Sequence, residues 1–121
     1  MNIVEKLIEF RNTRETDILG PIESDHLVVI VTELLNWLKL ERKREIWIDQ
    51  GRKTKLKSLE LNMNYPWCND LVNILQTDSP LAKVFCVEGK FLNFKDGISP
   101  EYIHEARLLA YEKYNPEMII N

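Results

Sequence analysis

Cysteine is scarce in this chain: two residues in 121, Cys68 and Cys86, with no CxxC spacing. That excludes the disulfide framework of a small secreted domain, and it gives no support to a zinc-knuckle or thioredoxin-type site. The stretches YPWC and VFCV surround both thiols with apolar neighbours, as expected of reduced, buried, structural cysteines. Burial raises a thiol pKa and so works against a nucleophilic role. Glycine is also sparse, with four residues that stand singly in the sequence, so a phosphate-cradling loop is hard to build. Neither G-x-G-x-x-G nor a Walker A sequence occurs, and G-x-S-x-G and H-E-x-x-H are missing too. There is no long hydrophobic run. The most apolar stretch, LVVIVTELLNWLKL over 27–40, is too short to span a bilayer and contains Glu33 and Asn36. The first ten residues, MNIVEKLIEF, carry acids where a secretory leader has a basic start. The expectation is a cytoplasmic protein with no membrane partner.

What is present describes an ordinary globular chain. Hydrophobic residues make up 45% and charged residues 29%, which fits one domain large enough to fold without staples. Ile3, Val4, Leu7 and Ile8 are spaced for a short amphipathic helix over 2–12. The segment NTRETDILGPIE reads as a loop around Gly20-Pro21. Ser24 or Asp25 is placed to cap a long helix running to about Arg44, with a narrow polar stripe and therefore a mostly buried surface. Its start, Leu27–Val31, is rich in β-branched residues and also compatible with a strand.

Beyond it, Ile46 and Ile48 alternate with polar neighbours, as do Leu59, Leu61 and Met63, with Gly51 between the two runs. This pattern predicts an antiparallel hairpin with arms at about 45–49 and 54–62. A short helix is expected over about 68–76. KVFCVEGKFLNFKDG predicts a second hairpin turning at Glu88-Gly89, whose first arm, apolar on both faces, should be central in its sheet. Ser99-Pro100-Glu101 opens a last helix ending near Tyr114. Trp37, Trp67, Phe85, Phe91 and Phe94 are read as core aromatics, while Leu108 and Tyr111 leave apolar surface on the last helix unexplained. The predicted class is α+β: two hairpins packed with a long buried helix and a C-terminal helix.

Charge is distributed unevenly. Residues 39–57 hold eight of the sixteen basic residues and three of the nineteen acids, a local balance of +5, which leaves −8 on the remainder. The candidate partner-binding or nucleic-acid-binding residues are Arg42, Lys43, Arg44, Trp47, Arg52, Lys53, Lys55 and Lys57. Clustered cations of this kind neutralise phosphates and release counterions, and Trp47 has the shape to stack on a base. The same cations also suit a solvated helix end and a charged edge strand that resists aggregation. The RNP aromatics, a GXXG loop and a zinc finger are absent.

The two histidines each follow a glutamate by three residues, Glu23/His26 and Glu101/His104. Such pairs share a helix face, and two of them with further glutamates build a di-metal site in four-helix bundles. Glu101, His104 and Glu105 together also have the residue types for acid–base chemistry. Against both stands a plain reason for acids at helix starts, the helix dipole. The sequence therefore points first to a small non-enzymatic interaction protein without a cofactor, binding another protein or a second copy of itself. The alternatives are nucleic-acid binding through 39–57, and a metal-dependent or acid–base enzyme centred on His104.

Overall fold

The computed structural model describes residues 2–15 and 22–115. The expected Gly20-Pro21 loop lies mostly outside them. Helix α1 spans Ile3–Thr13 and starts from a capping box: the Asn2 side chain accepts the Val4 N–H, and the Asn2 N–H donates to Glu5 Oε1. Helix α2 spans Ser24–Asp49. Strand β1 is Leu59–Glu60, helix α3 is Pro66–Ile74, and a 3₁₀ turn covers Leu81–Lys83. Strands β2, Phe85–Glu88, and β3, Phe91–Phe94, form a hairpin, and helix α4 spans Pro100–Lys113 behind the Ser99 cap. The fold is thus a mixed domain of helices and a small antiparallel sheet. Among the described residues no helix is long and apolar enough to cross a membrane.

Among the described residues one hairpin forms, not two. Residues 45–49 continue α2 instead of forming a strand, and only Leu59–Glu60 of the expected second arm pairs, with β3. The reason lies in spacing that favours a helix. Arg44 meets Glu41 at 3.3 Å and Arg42 meets Glu45 at 3.5 Å, both i,i+3 pairs on a helical surface. Gly51 has φ +82° and ends the helix: its N–H donates to Ile48 O and the Arg52 N–H donates to Trp47 O, each at 2.9 Å. That pair of bonds is a Schellman motif, which needs a left-handed residue where Gly51 stands. Neither Ser24 nor Asp25 caps the helix; Glu23 occupies that position without a side-chain bond. Helix α3 also starts earlier than expected, because Pro66 sits in its first turn.

The sheet order is β1-β3-β2, so the second arm of the hairpin is central and the first is an edge. Phe85 pairs with Phe94 and Val87 with Leu92, placing these side chains on the inner face with Leu59, which pairs with Leu92 from the other side. The two-sided apolar character of the first arm has another source: α3 flanks that edge, and Val72 and Leu75 line a cleft with Cys86 and Val87. Gly89, φ +62°, makes the two-residue turn. Phe91 is on the outer face, 46% exposed beside Glu60 and Glu88, and so is not core.

One core joins all of this. Leu7 and Phe10 of α1, Leu34 and Leu38 of α2, Leu71 of α3, and Phe85 and Leu92 of the sheet belong to one buried cluster. Ala106 and Ala110 are the fully buried residues of α4, small enough to let it approach closely. Its pairing with α2 is antiparallel, since Lys39 reaches Tyr111 and Tyr114 while Glu45 reaches His104 and Arg107. Helix α1 is held to the start of α4: Tyr102 Oη accepts the Ile3 N–H at 2.8 Å, and Asn2 Nδ2 donates to Tyr102 O at 3.1 Å.

Candidate interaction surface

After the turn at Gly51 the chain runs back beside α2, and a clamp on one peptide unit fixes its course. The Lys57 N–H donates to Glu41 Oε1 at 2.7 Å, and Lys57 O accepts from Trp37 Nε1 at 2.9 Å. Trp37 and Glu41 are four residues apart, hence neighbours on one helix face. Glu41 is fully buried, and its Oε1 also accepts from Arg44 Nη1 at 3.3 Å. Trp37 packs against Phe85 and Phe94, with ring centroids 6.2 and 5.7 Å away. The return segment is therefore docked onto the core through its backbone, and the side chains of Lys53, Lys55 and Lys57 are left in solvent.

The cations of 39–57 divide evenly between two kinds. Lys39 Nζ donates to the Tyr111 and Tyr114 carbonyls at the end of α4, at 3.3 and 2.5 Å, complementing that helix dipole. Arg42 pairs with Glu45 and Arg44 with Glu41. The Arg52 guanidinium lies over the Trp47 ring, 5.6 Å from its centroid, joining the two residues bonded in the Schellman motif. Trp47 thus has one face covered by a cation and is not a bare stacking platform. Lys43, Lys53, Lys55 and Lys57 are exposed and make no ion pair among the described residues.

Exposed apolar side chains alternate with these lysines along the sequence, a feature the charge count did not reveal. Leu40, Ile48 and Leu56 are 38%, 40% and 39% exposed. Leu40 and Trp37 also line a groove of about 280 Å³ between α2 and the return segment, closed on the other side by Lys57, Ser58 and Leu59.

Compared with protein-family models, curated proteins and solved structures, the chain matches none.

The histidine pairs do not converge. His104 Nδ1 lies 3.4 Å from Glu45 Oε2, which also accepts from Arg107 Nη1 at 3.3 Å, so His104 sits beside the C-terminal half of α2. His26 is in the first turn of the same helix, 19 residues earlier, which is about 28 Å of helix rise. Glu45, not Glu101, is the carboxylate His104 meets, and the arrangement is an ion-pair cluster that ties α4 to α2. Burial pushes both cysteine thiols above their ordinary pKa.

His26 has a partner that no sequence spacing indicates. Its Nδ1 pairs with Asp70 Oδ2 on α3, 44 positions away, and lies 3.7 Å from Glu23 Oε2. The Asp70 hydrogen bond raises the imidazole pKa above 6.5; desolvation opposes it, and the charges of Glu23, Asp70 and Asp25 add to the rise. A raised histidine pKa contributes stability that is fully present below the unfolded value of 6.5 and is lost as pH climbs through the folded value. The difference in denaturation midpoint between wild type and Asp70→Asn should therefore be widest below about pH 6.5 and shrink as pH rises through the raised folded value. An NMR titration should place His26 above 6.5 in wild type and lower in Asp70→Asn. A difference independent of pH would assign Asp70 a role in packing alone.

Proposed function

We propose that the protein works by binding another macromolecule, a protein with an acidic surface, through the face built from the second half of α2 and the return segment 50–58. One observation carries this reading: four exposed lysines that make no ion pair among the described residues, Lys43, Lys53, Lys55 and Lys57, alternate along the sequence with exposed Leu40, Ile48 and Leu56. A phosphate backbone uses cations and has no use for aliphatic side chains between them. An acidic protein surface uses both, with charge steering the encounter and apolar burial holding the complex. The Arg52 guanidinium over Trp47 weakens the nucleic-acid alternative further, since a base would have to compete with it for that face of the ring. This reading assigns no catalytic step and no cofactor to the protein, and it places the partner in the same compartment, for which the cytoplasm remains the proposal.

The test is fluorescence anisotropy at several salt concentrations with three labelled probes: single-stranded DNA, double-stranded DNA, and a short peptide of glutamates and leucines. Wild type should bind the peptide, and the variant with Lys43, Lys53, Lys55 and Lys57 changed to Glu should lose at least about tenfold in affinity, each exposed charge contributing to the encounter. All four positions are exposed, so the variant should keep the wild-type circular dichroism spectrum. Tighter binding of DNA, with a steep salt slope of about −0.7 to −0.9 per phosphate contacted, would transfer the function to nucleic-acid binding. Identical peptide binding by wild type and variant would end the reading.

A further inference from the structure

Resting on that reading, we infer that the groove between α2 and the return segment is a docking site for an extended acidic peptide segment that inserts one branched or aromatic apolar side chain. The groove holds about 280 Å³ and has apolar walls supplied by Trp37, Leu40 and Leu59. Its charges are arranged with polarity. Arg44 stands at one end along α2 and Glu33 at the other, eleven residues or about 16 Å of helix apart. Lys57 forms part of the opposite wall.

The occupant follows from charge complementarity. Arg44 gives one N–H to Glu41, and its guanidinium fork carries further donors of the geometry that recognises a carboxylate. Lys57 spends its backbone on the clamp and its ammonium makes no ion pair among the described residues, so the ammonium can serve the same carboxylate. Glu33 repels an acid at the far end, which fixes the direction in which a peptide lies. About 16 Å corresponds to roughly five extended residues, at about 3.3 Å each. The complementary segment therefore has its carboxylates at the Arg44 end, its apolar side chain against Leu40 and Trp37, and no acid beside Glu33. A second copy of the chain or a nucleic acid would not require that order.

The experiment uses the full chain and two labelled peptides, each with acids at one end only; one has a central leucine and the other has serine in its place. Anisotropy gives affinity, and NMR follows the Trp37 indole N–H, whose bond to Lys57 O places it at the groove wall. The leucine peptide should bind about tenfold tighter than the serine peptide, the gain expected from burying one such side chain. The advantage should vanish in Leu40→Gln, a change at a 38% exposed position whose circular dichroism spectrum should match that of wild type, and the Trp37 indole signal should move on binding. Reversing the peptide should weaken it. Equal binding of both peptides, lost when Lys43, Lys53, Lys55 and Lys57 become Glu, would overturn the groove and leave the charged surface standing. Binding that perturbs signals elsewhere would also overturn it. No binding of either peptide would overturn it as well, and the DNA and glutamate–leucine probes then decide separately whether the surface reading survives.

Discussion

Replacing Trp37 with alanine should destabilise the protein by about 3–5 kcal/mol, the range for removing a large buried aromatic side chain. Trp37 is 6% exposed and performs two jobs. Its ring meets Phe85 and Phe94, which themselves pair across the hairpin at 5.2 Å, so it is one contact through which α2 holds the sheet. Its indole N–H donates to Lys57 O and holds the return segment. Trp37→Phe separates the two. It keeps an aromatic body against Phe85 and Phe94 and deletes the donor, so its cost should fall to about 1–2 kcal/mol for the lost hydrogen bond and the smaller ring. Chemical denaturation gives both values. Hydrogen exchange gives the location: Trp37→Phe should speed exchange in 52–58 while leaving the hairpin 85–94 protected. Uniformly faster exchange would mean that the return segment and the sheet unfold together and that the clamp is not a separate device.

That partition shows how far the sequence is informative. Elements whose signals are local were legible: the α1 periodicity and the Ser99 cap with Pro100 at the start of α4 correspond to observed elements, and the second hairpin forms with its turn at Gly89-Lys90, one residue beyond the expected Glu88-Gly89. The stretch 45–49 was not, because Ile46 and Ile48 offer only one repeat of a two-residue period, too little to outweigh helical charge spacing. Gly51 was identified as a turn in either case. A glycine with positive φ ends a helix as readily as it turns a hairpin, and only the bonds to Trp47 and Ile48 distinguish the two. The same limit applies to the surface. The run of cations is visible in the sequence, but which of them are spent depends on contacts far along the chain, such as Lys39 with the end of α4 and the Lys57 peptide with Glu41. His26 and Asp70 are likewise joined only by the packing of α2 on α3.

Glu41→Ala should be the most damaging single change at a charged residue, costing about 3 kcal/mol, because it removes one partner from a buried, hydrogen-bonded ion pair. Glu41 is 0% exposed. Without it the Lys57 N–H loses its acceptor and Arg44, whose side chain is 16% exposed, loses its counter-charge. Glu41→Gln retains an oxygen for the Lys57 N–H while removing the charge, so its cost should be nearer about 1–2 kcal/mol. Because Arg44 is no longer neutralised, this variant should also bind the acidic leucine peptide more tightly even though it is less stable. Stability and affinity then move in opposite directions, which a general loosening of the fold would not produce. The double variant Trp37→Phe/Glu41→Gln completes the cycle. Both residues act on the same Lys57 peptide, so their costs should fail to add, with a coupling of about 0.5 kcal/mol or more. Strict additivity would mean that the two bonds hold the segment independently, and that the return segment owes its course to some other contact than the clamp at Lys57.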